Sequence, residues 1–202
     1  MTSANIPFST ELERWLKSSQ PKTMGSLQSV FGEKSFAMLV LICMFIPSLP
    51  VPTGGITTVL LVPATVFASM QMVIGRTALW LPERIARAEL SDTTLKRALP
   101  FMIRRIRWFE RFSRPRLSHY LTNPAFRITN GIFIFLFALG SLIAPPFSGL
   151  DTLPSMGAVI IALGLILEVV LLTVIGIIVG LVGLGVMVAA ASIIVTFLQQ
   201  IF

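Results

Sequence analysis

The sequence predicts an all-α, polytopic inner-membrane protein made of two related helix-break-helix repeats, each a re-entrant hairpin. Three observations lead there. Of 202 residues, 54% are hydrophobic and 12% charged, against the roughly 25% charged residues of a soluble domain, and the mean hydropathy is +0.85. Twelve of the sixteen Lys and Arg lie between Arg76 and Arg127 and none follows, so the apolar regions leave and re-enter one basic segment. The apolar stretches on either side of that segment are each broken in the middle by proline and glycine.

Residues 1–35 form a polar N-terminal segment that carries Glu11, Glu13, Arg14, Lys17 and Lys22. No charged stretch runs directly into an apolar one there, so no cleavable signal peptide is expected and the segment should stay cytoplasmic. Within it, Ser9 to Leu16 reads as an amphipathic helix. Ser9 serves as N-cap, acids occupy the first turn, and Leu12, Trp15 and Leu16 share a face suited to a membrane surface.

Residues 36–81 form the first membrane unit. Phe36 to Leu49 is an apolar run of about fourteen residues, whereas crossing the hydrocarbon takes roughly twenty. Cys43 lies inside it as a small hydrophobe, with no partner for a disulfide or a metal site. Pro47, Pro50, Pro52 and the Gly54-Gly55 pair then break the run, and a second one extends from Ile56 to Leu81, interrupted by Pro63. A loop at membrane depth is feasible where protein or water satisfies the freed backbone groups.

Residues 82–127 are the basic segment, cytoplasmic by the positive-inside rule. Flanking membrane segments make lipid head groups its expected anionic partner, and nucleic acid is not expected. Pro100 to Phe112 predicts a second amphipathic helix. At about 100 degrees per residue, Arg104, Arg107 and Arg111 gather on one side and Phe101, Trp108, Phe109 and Phe112 on another. Arginines that reach phosphates opposite rings that enter the acyl boundary make an interfacial helix, and Arg114 and Arg116 extend the lipid-phosphate contact. A solvated connector with core aromatics is the alternative.

Residues 128–202 form the second membrane unit. It is apolar from Ile128 to Ala144, broken from Pro145 to Thr152, and apolar again from Leu153 to the end, with Glu168 the one charge after Met156. The last stretch holds a half-length helix plus a C-terminal transmembrane helix, or two spans. Setting Phe36 against Ile132 aligns the two units at an offset of roughly 96 residues, and paired proline-broken apolar segments of this kind point to a transporter-like site at the repeat interface. Hydropathy leaves open whether the repeats are inverted or parallel.

The candidate solute- or ion-binding residues are the polar groups in and near the breaks. Glu168 leads, because an ionisable group within an apolar segment costs at least a few kcal/mol and is by default functional; a helix end at the interface is its other reading. Asp151 follows, either as a site residue or as the N-cap of a helix that Pro154 begins. Thr53, Gly54, Thr57 and Gln71 could bind a polar solute or satisfy the hairpin's own backbone. Gly176 and Gly180 form a GxxxG pair for close helix packing, within the chain or across a homodimer.

Catalytic constellations have no support in the sequence. His119 has no second ligand nearby, and the GLVGLG at Gly180 to Gly185 lies inside an apolar helix, where it is no nucleotide loop. No enzyme activity, cofactor or metal is expected.

LPVPTGG (Leu49 to Gly55), GRTALWLP (Gly75 to Pro82), ERFSRPRL (Glu110 to Leu117) and LPSMGAVIIALGLILE (Leu153 to Glu168) resemble, in order and spacing, segments of the ExoD family of exopolysaccharide synthesis proteins. The resemblance covers most of the chain. It implies a small bacterial inner-membrane protein linked to exopolysaccharide production, with no established enzymatic reaction. Family members usually follow the late glutamate with a charged, glycine-containing turn, whereas here Glu168 is followed by Val169-Val170-Leu171-Leu172. The expected role is synthesis or export of exopolysaccharide as a transporter-like or channel-like element, with membrane lipids, a second copy of the chain and the polysaccharide biosynthesis machinery as partners. A non-transporting scaffold and an ion antiporter are the alternatives.

Overall fold

In the computed structural model, residues 7–23, 25–26, 32–49, 56–76, 79–80, 83–87, 89, 95–96, 99–112, 123–145 and 148–201 are described, those at 33, 56–60, 84–85, 109–112, 194–195, 197–198 and 200–201 by backbone alone. Every regular element among them is helical, apart from an isolated bridge between Thr23 and Glu89. The helices are α1 (Phe8–Lys17), α2 (Ser35–Phe45, entered through a 3-10 turn at Gly32–Lys34), α3 (Ile56–Val73), the single turn α4 (Glu83–Ala86), α5 (Leu99–Phe112), α6 (Pro124–Ile143), α7 (Thr152–Leu167) and α8 (Val170–Ile201).

Helix α1 begins two residues earlier than a Ser9 cap implies, and Ser9 is not its cap. Pro7 holds that position, its carbonyl accepting from Thr10 and Glu11, while Ser9 is buried in the first turn. Leu12 and Trp15 do share the apolar face, joined by Phe8. That face packs on protein, with α1 lying against α5. At its other end the Lys22 ammonium donates to the carbonyls of Trp15 and Ser18 and stands 4.9 Å from the Trp15 ring, a cation placed at a helix C-terminus where carbonyls lack partners.

Helix α2 stops at Phe45, short of the expected Leu49, and every residue from Ser35 to Met44 is buried. A helix apolar on all sides belongs inside a protein, and α3 and α7 both pack on α2. At eleven residues it rises only about 16 Å.

Helix α3 runs unbroken through Pro63, contrary to the interruption expected there. Proline lacks the N–H owed to the carbonyl four residues back. The exposed position of Pro63 lets the ring point away from the packed side, while Thr65 and Ser69 on that side return their hydroxyls to Leu61 and Thr65 carbonyls. The helix ends at Val73, and Gly75 at φ 83° makes the turn; Leu79 and Trp80 do not continue it.

Asn123 caps α6, accepting from the Ala125 N–H at 2.9 Å, with Pro124 in the first turn. Glu168 ends α7 in the left-handed region at φ 58°, its N–H donating to the Gly164 carbonyl, and Val169 donates to the same carbonyl at 2.9 Å. The reversal into α8 therefore takes two residues.

The packing partners form a closed ring: α2 on α3, α3 on α6, α6 on α7, and α7 on α2. Side-chain contacts orient it. Lys34, before α2, pairs with Glu168 after α7; the Arg127 guanidinium, early in α6, donates to the Arg76 carbonyl just past α3; Ser141 late in α6 meets Ser155 early in α7. The starts of α2, α6 and α8 and the ends of α3 and α7 consequently share one end of the molecule, the end that carries Lys34, Arg76 and Arg127. Helix α8 runs beside α6 in the same direction, with Phe137 against Gly180 and Leu184 against Gly140.

Candidate functional site

At the basic end, four of the polar groups that line the helix termini are held by specific partners. The Lys34 ammonium lies 3.0 Å from a Glu168 carboxylate oxygen, both side chains about 40% exposed, and 5.9 Å from the Phe8 ring. Glu168 is thus a helix-ending residue with an ion-pair partner at the rim, and not an isolated charge in hydrocarbon. Gln71 is buried, and its amide is fully engaged with one residue: Nε2 donates to the Trp80 carbonyl at 2.9 Å and Oε1 accepts the Trp80 N–H at 2.8 Å. It thereby folds the chain after α3 back on itself, which sets the Trp80 ring against Phe67 and within 6.0 Å of the Arg76 guanidinium.

Sequence reasoning missed Lys34 and Asn130. Asn130 is buried in the second turn of α6, its Nδ2 donating to the Phe126 carbonyl at 2.8 Å, and its Oδ1 has no hydrogen-bond partner among the described residues, as is true of Ser35 Oγ at the start of α2. The signal was available in the spacing. Lys34 and Asn130 stand in the same place before the two apolar runs, as Gln71 and Glu168 stand in the same place after them.

At the opposite end, the break between α6 and α7 is tied across its base. Ser141 Oγ contacts Ser155 Oγ at 3.0 Å and donates to the Phe137 and Asp151 carbonyls, so both hydroxyls are buried without an open polar group. Asp151 does hold the N-cap position of α7, but with helical backbone angles and no side-chain capping bond; its carbonyl accepts from Ser155 instead. Of the other break residues, Thr53 and Gly54 lie outside the described residues, as does the side chain of Thr57. The structure thus brings Glu168 and Gln71 to one end and Asp151 to the other.

On α5 the expected arginine face and aromatic face are described only in part, and the described residues of both are exposed. The buried arc is aliphatic, Leu99, Met102, Ile103 and Ile106, while Phe101, Arg104, Arg105, Arg107 and Trp108 all face outward. Spacings of three and four put those four apolar residues on one stripe, and α5 packs against α1. The Arg107 guanidinium bonds the Glu13 carboxylate, which Lys17 also contacts at 2.8 Å; the two cations hold that carboxyl below its ordinary value, Lys17 the larger cause. The Arg105 guanidinium stacks 5.1 Å from the Phe101 ring. The side chain of Arg111, with Phe109 and Phe112, and the whole of Arg114 and Arg116, lie outside the described residues.

Gly176 and Gly180 are occupied within the chain. A Cβ on Gly176 would sit 2.7 Å from the Ile161 nitrogen, and one on Gly180 would sit 2.2 Å from the Phe137 ring; Gly157 of α7 faces the Gly180 backbone in the same way. The pair joins α8 to α7 and α6, so it is not open to a second copy.

A helical ring with a long apolar helix along one side, two helices of sufficient length and apolarity to cross a bilayer (Pro124–Ile143 and Val170–Ile193), and a basic rim define a membrane protein. The comparison with known families specifies which. The family model described as "Exopolysaccharide synthesis, ExoD" matches residues 8–189, and the chain belongs to that family. The family is one of exopolysaccharide synthesis. The chain is also similar to the uncharacterized protein slr1875 of Synechocystis sp., 27% identical over 146 residues that make up 70% of this chain and 66% of that protein. No solved structure matches.

Proposed function

We propose that the chain is a transporter-like, non-enzymatic element of exopolysaccharide synthesis or export, in which two hairpins, α2–α3 and α6–α7, re-enter the inner membrane from its cytoplasmic face. One observation carries this reading: the hairpins are shorter than the helix beside them. The tip between α6 and α7 lies near the level of Leu184, since Leu184 touches Gly140 and Gly183 faces Leu153 and Pro154. The apolar stretch of α8 continues to Ile193, which is about 14 Å farther along a helix axis. With α8 spanning the bilayer, the tip stays within it.

The two hairpins point the same way, so the repeats are parallel, related by an axis along the membrane normal. That relation exchanges α2 with α6 and α3 with α7. It maps the ring of contacts onto itself, and it carries the charged Lys34–Glu168 pair onto the neutral Asn130–Gln71 positions. Irregular backbone at membrane depth is tolerated where it lines a cavity, so the polar site belongs at the tip that carries Asp151, while Glu168 and Gln71 fasten the cytoplasmic rim.

Solute uptake into proteoliposomes, scanned over ions and charged sugars, tests the function, and Asp151→Asn should reduce uptake more than Glu168→Gln. Absence of uptake for every solute would leave a non-transporting scaffold as the family role. Ion flux coupled to protons without sugar movement would make the chain an antiporter. The hairpin depth is tested separately by placing a cysteine at Ser148 in a Cys43→Ala background. A re-entrant tip is shielded from a membrane-impermeant maleimide on the periplasmic side, and rapid labelling would show that the hairpin crosses fully.

A further inference from the structure

We propose that the outward face of α5 docks onto the anionic phospholipid head groups of the bilayer, with Trp108 and Phe101 entering the acyl boundary between flanking arginines. This rests on the chain being a membrane protein and not on what it transports.

The arrangement differs from opposed faces. At about 100 degrees per residue, Trp108 and Phe101 fall within about 20 degrees of each other at the centre of the exposed arc, with Arg104 and Arg107 on one flank and Arg105 on the other. Trp108 is 53% and Phe101 43% exposed, large rings that water alone would disfavour. Together with the arginines they line a cleft of about 460 Å³. Central rings with cations on both sides suit an interface, because the rings sit among the upper acyl carbons while the long arginine stems rise to the phosphates.

Charge complementarity selects the occupant. Arg107 is neutralised by Glu13, but among the described residues no carboxylate lies within ion-pair distance of Arg104 or Arg105.

The test uses the full chain reconstituted in nanodiscs, with Trp15→Phe and Trp80→Phe leaving Trp108 as its sole tryptophan. Lipids brominated near the head group should quench Trp108, and brominated phosphatidylglycerol at a minor mole fraction should quench more strongly than brominated phosphatidylcholine at the same fraction. Raising the salt should shrink that difference. Arg104→Glu and Arg105→Glu should each lower the preference roughly fivefold, and the Lys replacements should keep it. Equal quenching by the two lipids would overturn the head-group assignment, and quenching by aqueous iodide alone would overturn membrane docking altogether. Should the tryptophan replacements disturb folding, native mass spectrometry of the unmodified chain from mixed bilayers reads the same preference, as phosphatidylglycerol retained over phosphatidylcholine; no enrichment overturns the proposal.

Discussion

Glu168 is the one described non-glycine residue at positive φ, where a side chain costs about 1 kcal/mol that glycine avoids. Its pair with Lys34 is 40% exposed on the Glu168 side, and exposed pairs return about 0–1 kcal/mol after screening. The two terms nearly cancel, which yields an ordering. Glu168→Gly should leave the detergent melting temperature near that of the native chain, while Glu168→Ala, which keeps the backbone cost and loses the ion pair, should lower it. Sequence reading offered Glu168 either as a functional charge within an apolar segment or as a helix end, and its position at the end of α7 agrees with the second. What hydropathy does not register is the lysine 134 residues earlier that meets it. For Gln71 too the reading that it satisfies the chain's own backbone agrees with the structure, but the particular partner, a backbone nine residues on, is a bond that no spacing rule announces.

Among the elements, breaks and helix types were legible, because proline clusters and apolar runs are local properties. The proline-rich interval after Phe45 and the one after Ile143 both separate helices, as expected. Pro63 was not legible as a helix interior, since a single proline stops a helix only when its neighbours cannot accommodate the lost bond. Nor was the orientation of α5, for a helical wheel sorts residues into faces without saying which face meets protein. The seam of α7 and α8 is held by glycines whose replacements should differ. A Cβ on Gly157 meets the Gly180 backbone at 2.5 Å, whereas one on Gly180 meets the Phe137 ring. Overpacking costs about 1–3 kcal/mol, and Phe137→Leu should partly rescue Gly180→Ala but leave Gly157→Ala as unstable as before in thermal unfolding. The contact of α1 with α5 is electrostatic at its edge, and its pH dependence has a definite sign. Lys17 and Arg107 lower the Glu13 pKa from its ordinary 4.5, so the pair contributes above that value and is lost as pH falls through the folded one. Amide exchange in α1 should accelerate below pH 4.5, and Glu13→Gln should show the acid behaviour at neutral pH.

For the whole molecule, membrane character was legible from composition alone, and the family from four short segments. The ring closure was not, because it depends on contacts between residues about a hundred positions apart, which one sequence does not expose. Helix α2 carries the largest consequence of that closure. It precedes the other apolar helices in this sequence, yet it is too short to cross lipid and keeps no surface for it, so it has no stable residence until α7 has been made. Biogenesis should therefore run backwards relative to synthesis: α8 and α7 settle first as a two-helix unit, and α2 is drawn in afterwards. A chain truncated after Ile143 should leave residues 35–45 open to protease added from the cytoplasmic side, while the complete chain protects them. Protection in the truncated chain would mean that α3 and α6 suffice to hold α2. The enclosure makes an apolar helix synthesised before its partners the last to find its place.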